Sequence, residues 1–223
     1  MTEATDAIVL SAGRGVRLGG DVPKQYLPLG GRTVIARALD AFLHHPRVRK
    51  VCVAIGPDDA EPFAAAVGTR AREVLTVVGG ETRQASVLAA LGALASDPPA
   101  RILIHDGARP FVSETLIARV DDALVENPAV IPAVPVADTL KRVDGQTIVE
   151  TVSRDGLAQA QTPQGFWYGA LVEAHKRAQT VMTDDAGVME AAGHAVRVVE
   201  GERANHKLTT ADDLAVARAR TGG

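Results

Sequence analysis

With 223 residues, 46% of them apolar and 23% charged, the chain is neither disordered nor fibrous and fits one large α/β domain or at most two small ones. A formal net charge of −3, with no run of five Lys or Arg, argues against bulk nucleic-acid binding. Aromatics make up only 3%, so the core must rest on Ala, Val, Leu and Ile, and a single cysteine, Cys52, excludes a disulfide within the chain.

The four apolar residues at 7–10 suit a parallel strand buried on both faces. Glycines at 13, 15, 19 and 20 follow, then Pro23-Lys24-Gln25-Tyr26 and a turn at Gly30-Gly31. Thr33 is placed to cap a helix reaching about Leu43, with Val34, Ile35, Ala38, Leu39 and Phe42 on its apolar face. Residues 50–55 read as a strand that contains Cys52 as a small core residue. Residues 58–67 read as a helix with Asp58 and Asp59 near its positive end. A strand is predicted over 73–78, a break at Gly79-Gly80, and a helix over 83–95. Residues 101–105 form another buried strand ending at Asp106-Gly107, Ser113 caps a helix to about Val125, and 130–134 is a strand.

This alternation of strand and helix argues for a parallel sheet covered by helices. The pattern breaks over 138–153, where two short alternating runs meet at Asp144-Gly145, a strong hairpin signal. A protruding arm that packs on another subunit explains a hairpin there. Helices over 167–179 and 184–192, a strand over 195–199, and a last helix starting at Thr210 with Asp213 in a capping box complete the chain. One domain spanning 1–223 is the expectation. The N-terminal residues lack a basic segment followed by a long apolar one, and no stretch approaches the ~18 apolar residues of a membrane span, which predicts a soluble cytoplasmic protein.

Ser11-Ala12-Gly13-Arg14-Gly15-Val16-Arg17 follows directly on the first strand. Glycines let the backbone turn so that several N–H groups face one anion, and Arg17 and Lys24 add fixed cations. A P-loop would need G-x-x-x-x-G-K-S/T, and a dinucleotide fingerprint would need Gly where Leu18 stands. The competing reading is a surface loop with solvated cations. The second segment, Gly79-Gly80-Glu81-Thr82-Arg83-Gln84-Ala85-Ser86, joins a strand to a helix, where open α/β sheets bind ligands. Ser86 can offer a hydroxyl to a base or ribose. The third, His105-Asp106-Gly107-Ala108-Arg109-Pro110, puts a carboxylate at a strand end, suited to a magnesium–triphosphate complex, with Arg109 either on phosphate or orienting Asp106. A structural Asp–Arg pair is the alternative, and His105 reads as a packed, hydrogen-bonded histidine. Thr139, Arg154, Thr162 and Lys207 are scattered and individually weak.

Taken together, SAGRGVRLGGDVPKQYLPLGG, GGETRQASVLAAL, HDGARPFV, PVADTLK, QTPQGF, TDDAGVME and VEGERANHKLTTADDL resemble the 2-C-methyl-D-erythritol 4-phosphate cytidylyltransferase family over nearly the whole chain. The resemblance implies a Rossmann-like nucleotidyltransferase domain with a mostly parallel sheet and a hairpin arm for homodimerisation. It implies transfer of CMP from CTP to the methylerythritol phosphate, with Mg²⁺ as cofactor and Asp106 toward the metal. Arg17 and Lys24 would stabilise the transition state at the α-phosphate, while Arg154 and Lys207 would position the acceptor phosphate. Ala12, Gly13, Gly15, Gly80, Glu81, Ser86 and Asp106 would hold the nucleotide. Arg109, Thr139, Thr162, Arg154 and Lys207 would line the acceptor pocket, with Thr139 and Arg154 serving the partner's site. Departures from the family pattern are Ser11 for Ala, Leu18 for Met, Asp185 for Glu and Gly187 for Ser.

The same chemistry on ribitol 5-phosphate is the nearest rival. A nicotinamide-dependent oxidoreductase would want an acid closing the second strand, where Ile55-Gly56 stands instead. A catalytically dead nucleotide sensor would be signalled by loss of Arg17 or Lys24, and both are present.

Overall fold

The computed structural model describes residues 4–13 and 22–222. Strand β1 (Thr5–Ser11) lies at the centre of the main sheet. It pairs in parallel with β4 (Val48–Ile55) on one side and β6 (Arg101–Asp106) on the other, and β5 (Leu75–Val78) extends the sheet beyond β4. Alternation along these strands sorts the core into two layers. Ala7, Val9, Val51, Val53 and Leu103 face one side, where α1 (Val34–Leu43), α2 (Ala60–Val67) and α4 (Glu114–Ala123) cover them. Ile8, Cys52, Ile102 and Ile104 face the other, under α3 (Arg83–Leu94), α5 (Tyr168–Arg177) and α6 (Asp185–Ala191). Both faces are covered, which is why these strands read as unbroken apolar runs. Burial pushes the Cys52 thiol up to about 12, as befits an inert core residue.

The expected caps form. Thr33, Ser113 and Thr210 each accept a backbone N–H of the first turn, and Thr210 with Asp213 makes the reciprocal capping box of α7 (Ala211–Arg220). The helix expected from residue 58 starts at Ala60 instead. Asp59 occupies its N-cap position but makes no capping bond, and its carboxylate accepts the Tyr26 hydroxyl at 3.0 Å. The turn at Gly30-Gly31 joins β2 (Pro28–Leu29) to β3 (Arg32–Thr33), with φ of 53° and 74° at the two glycines.

Beyond β6 the sheet is mixed. β7 (Ala129–Pro135) is separated from β6 by β11 (Gln164–Trp167), which runs antiparallel to both. β10 (Ala158–Ala160) continues along the same edge of β7, and β12 (Arg197–Glu200) adds in parallel on its far edge. Neither β10 nor β11 was expected from the sequence, and Trp167, expected to open a helix, ends β11. Each is too short to display a period. β11 is accommodated at Gly165, where a Cβ would lie 2.6 Å from Leu124 and 2.7 Å from Val120 of the helix above. The expected hairpin forms as β8 (Leu140–Asp144) and β9 (Thr147–Val152), paired only with each other and turning at Gly145. Val143, Ile148 and Val149 on this arm are exposed. Among the described residues no helix is long and apolar enough to cross a membrane.

Candidate active site

The strand order β5-β4-β1-β6 places β1 where the chain switches from building the sheet on one side to building it on the other. Loops leaving the carboxyl ends of β1 and β6 diverge there, and a crevice opens between them. A cleft of about 230 Å³ occupies this position, lined by the loop after β1, the turn before α3, Asp106 and Lys207.

Its floor is set by close backbone approach. The buried Gln25 donates through Nε2 to the carbonyls of Ser11 (2.8 Å) and Gly13 (3.1 Å), which ties the glycine-rich loop to the short turn carrying Lys24. Across the cleft, a Cβ at Gly79 would meet Ala12 Cβ at 2.5 Å and Ser86 Oγ at 2.8 Å, so only glycine lets these two loops touch. Ser86 Oγ accepts from Gly80 N–H at 3.1 Å and donates to the Thr82 carbonyl at 3.0 Å, fixing the first turn of α3. Thr82 caps that helix by accepting Ala85 N–H, and Thr82, Arg83 and Ser86 line the cleft, so the positive end of α3 borders it.

The electrostatic centre is Asp106. Lys207 Nζ lies 2.9 Å from its Oδ2, Arg83 Nε 3.6 Å from its Oδ1, and Arg109 Nε 3.9 Å from Oδ2. Burial alone would raise the carboxyl, but Lys207, Arg83 and Arg109 reverse that and hold it well below the usual carboxylate range. Asp106 is therefore a permanent anion amid fixed cations. Burial also opposes the charge on Arg83, but Asp185 and Asp106 outweigh it and raise its pKa. Lys24 reaches the same cleft from the side of β1.

Behind Asp106 stands a hydrogen-bonded support. Asp106 N–H donates to Thr162 Oγ1 at 3.1 Å, Thr162 Oγ1 meets His105 Nδ1 at 3.0 Å, and His105 Nε2 meets the Arg109 carbonyl at 3.1 Å. Asn205 Nδ2 donates to the Thr162 carbonyl at 2.7 Å, while Arg109 donates to the Asn205 carbonyl at 2.8 Å. His105 is fully buried, and burial lowers its pKa from 6.5 to about 4. It is thus a neutral strut and no acid or base at working pH. Its folded-state value lies below the unfolded one, so its contribution to stability is complete above pH 6.5 and lost as the pH falls toward 4. The size is about 3 kcal/mol by linkage. In urea titrations between pH 4 and 8, His105→Gln is expected to flatten this acid limb. A limb as steep as that of the wild type would show that other groups set it.

Of the residues expected from sequence, the cleft brings together Ala12, Gly13, Lys24, Gly80, Glu81, Ser86, Asp106 and Lys207. Gly15 and Arg17 lie outside the described residues. Thr162 stands behind Asp106. Arg109 borders a second, basic cavity of about 350 Å³ with Gln161, Arg203, His206 and Lys207, and Lys207 is common to both cavities. Thr139 and Arg154 do not line the cleft of their own chain. Both are exposed, and Arg154 borders a separate recess beside Ala137 and Val198 at the base of the arm. Two contributors were not singled out from sequence: Gln25, which clamps the glycine-rich loop, and Arg83, which bridges Asp106 and Asp185. The only signal for Arg83 was a cation at the first position of the helix after Gly79-Gly80. Among the described residues no group of three or more His, Cys, Asp or Glu is arranged to hold a metal. The carboxylates that line the cleft are Asp106 and Glu81, so a cation here would take most of its ligands from the substrate. Such a donor set is one that divalent cations use when they bind through one or two carboxylates plus phosphate oxygens.

The chain matches the model of the 2-C-methyl-D-erythritol 4-phosphate cytidylyltransferase family over residues 5–221. It is 47% identical over 235 residues to the bifunctional enzyme IspD/IspF of Mesorhizobium japonicum, covering 99% of this chain and 58% of that one. It is 50% identical over 209 residues to the bifunctional enzyme IspD/IspF of Rhodospirillum rubrum, covering 93% and 54%. The chain thus spans a little over half the length of these curated relatives. Among solved structures, the 2-C-methyl-D-erythritol 4-phosphate cytidylyltransferase of Thermus thermophilus superposes with a TM-score of 0.80 at 35% identity, covering 97% of this chain and 98% of that one. The Francisella tularensis enzyme of the same name gives 0.83 at 31%, covering 97% and 99%. With the same fold, the same order of motifs and a match from residue 5 to residue 221, this chain belongs to the 2-C-methyl-D-erythritol 4-phosphate cytidylyltransferase family.

Proposed function

We propose that this chain, as one catalytic domain spanning 1–223, transfers CMP from CTP to 2-C-methyl-D-erythritol 4-phosphate and releases pyrophosphate, a step of non-mevalonate isoprenoid precursor synthesis. The observation that carries the reading is the cleft at the switch point, where Arg83, Arg109 and Lys207 surround a constitutively ionised Asp106 and Lys24 lines the same space. This is a site for gathering negative charge.

The chemistry needs little else. The acceptor is a phosphate monoester with a second pKa of about 6, so at neutral pH it is already a dianionic nucleophile. One of its oxygens bonds to the α-phosphorus of CTP, the bond from that phosphorus to the bridging oxygen of the β-phosphate breaks, and pyrophosphate carries the electron pair away. No proton has to be removed, and His105, the one histidine directly behind the cleft, is held neutral and hydrogen-bonded away from it. The obstacle is repulsion between a dianion and a triphosphate, and fixed cations lower it most where charge builds in the transition state.

In this reading Gly80, Glu81 and Ser86 lie around cytosine and ribose, Ala12, Gly13 and Gly15 also hold the nucleotide, and Arg17 and Lys24 face the α-phosphate. Mg²⁺ at Asp106 would neutralise the triphosphate as a Lewis acid. Lys207, shared by the nucleotide cleft and the basic cavity beside it, holds the acceptor phosphate, with Arg109 and Thr162 nearby. Thr139 and Arg154 complete the acceptor pocket of a partner subunit, since in their own chain they stand away from the cleft. The exposed Val143, Ile148 and Val149 of the arm supply apolar surface for such a homodimer.

Pyrophosphate release with CTP and Mg²⁺ tests the reading, comparing 2-C-methyl-D-erythritol 4-phosphate with ribitol 5-phosphate. Turnover with the first alone is expected. Turnover with the second alone would keep the nucleotide site and overturn the acceptor assignment.

A further inference from the structure

A buried acid outside the expected site touches the cleft through Arg83. Asp185 Oδ2 lies 2.6 Å from Arg83 Nη1, a full ångström closer than Asp106 Oδ1 lies to Arg83 Nε at 3.6 Å. We propose that Asp185 is a positioning residue for the nucleotide, drawing the Arg83 guanidinium off Asp106 and holding it flat on the cleft wall.

Asp185 is itself held from every side. It is 1% exposed, and its Oδ1 meets His175 Nε2 at 3.0 Å. Its N–H donates to Gln164 Oε1 at 3.2 Å, and Ala186 N–H donates to the same oxygen at 3.3 Å. Gln164 Nε2 in turn donates to Asp184 Oδ2 at 2.7 Å, and Asp184 Oδ1 caps α6 by accepting Gly187 N–H at 3.0 Å. A carboxylate so fixed can hold a partner in one place. Arg83 depends on this carboxylate, because its Nη2 is buried with no hydrogen-bond acceptor among the described residues and Asp185 is the closer of its two acids. Arg83 itself lines the cleft, together with Gly80, Glu81 and Ser86.

Without Asp185, Arg83 loses the closer of its two carboxylates and is drawn onto Asp106, the one that remains. That closure would occupy the carboxylate that faces the triphosphate in this reading. A tie between α3 and α6 alone could be made as well by apolar packing, which avoids the desolvation of a buried pair. The ion pair adds a defined place for a charged fork.

The inference rests on the reading of the cleft as the CTP site. In steady-state assays of the full chain, Asp185→Asn is expected to raise the KM for CTP about tenfold, the scale of one charge-assisted hydrogen bond, with kcat changed far less. Asp185→Glu, which restores a carboxylate of the kind common in the family, is expected to recover most of the loss. Arg83→Gln should raise the same KM, and adding Asp185→Asn to it should do no further harm, because one acts through the other. An unchanged CTP KM in Asp185→Asn, or effects that multiply in the double variant, would overturn the inference while leaving the activity standing. No CTP-dependent turnover in the wild type would overturn the functional reading and the inference with it. Should Asp185→Asn fail to fold, Arg83→Gln, at the partly exposed end of the pair, decides alone: an unchanged CTP KM there overturns the proposal.

Discussion

Lys24→Ala is expected to lower kcat by about 10²-fold or more, the scale seen when one preorganised donor to a developing oxyanion is lost. The reasoning starts from the loop. Lys24 sits on a three-residue helical turn, and its neighbour Gln25 is buried and bonded to two carbonyls of the loop after β1. The ammonium group is therefore delivered to the cleft by a rigid backbone and needs little reorganisation as charge builds on the α-phosphate. Water cannot replace it, because a solvent dipole would have to be ordered during the reaction. Since Lys24 is partly exposed and Gln25 does the anchoring, the variant should fold normally, and the loss should appear in turnover more than in the melting temperature. Arg17→Ala is expected to behave alike. Single-turnover rates with saturating CTP measure both, and a near wild-type rate in either variant would remove that residue from the transition state.

Mixing Lys24→Ala subunits with Arg154→Ala subunits should restore roughly a quarter of wild-type activity, although each variant alone is nearly inactive. The figure follows from counting sites in a two-fold dimer whose arms cross. Half of the randomly mixed dimers contain one subunit of each kind. In each of these, one site receives both an intact Lys24 and an intact partner Arg154, while the other receives neither. The structure motivates the crossing: Arg154 is exposed beside Ala137, away from the cleft of its own chain, and the arm pairs with no strand of the main sheet. Its register shifts between Arg142 and Val143, the kind of bulge that bends and twists a ribbon. Activity after refolding mixed subunits measures the effect. No recovery above the sum of the separate variants would show that each site is built from one chain.

Much of the architecture follows from local chemistry along the chain. The apolar runs ending at Leu10, Ile55 and His105 announce parallel strands covered on both faces, because no alternation is needed when neither face meets water. Thr33, Ser113 and Thr210 mark helix starts because each supplies an oxygen to an otherwise unpaired N–H. Asp144-Gly145 marks the arm because glycine readily takes the positive φ, 56° here, that a tight turn between paired strands uses. The cleft residues Gly80, Ser86, Asp106 and Lys207 were legible because they stand at the ends of strands or in motifs whose order spans the chain.

What was not legible depends on contacts between distant segments. β10 and β11 are strands because β6 and β7 offer unpaired edges to them, and segments of three and four residues carry no period of their own. Asp59 read only as a charge near a helix's positive end, and its bond from Tyr26, 33 residues earlier, left no trace in the sequence. Arg83 looked like one more cation in a helix until Asp106 and Asp185, 23 and 102 residues further on, were found on either side of it. The sequence alone determined the fold class and the order of most elements, because burial and capping are decided within a few residues of each position, and the order of its motifs along the chain marked most of the cleft residues. Only the tertiary structure decided that the sheet is mixed, that Asp106 gathers Arg83, Arg109 and Lys207 around it, and that Arg154 stands outside its own cleft. Those outcomes rest on Coulomb and hydrogen-bond geometry across ångströms, and sequence separation carries no record of such distances.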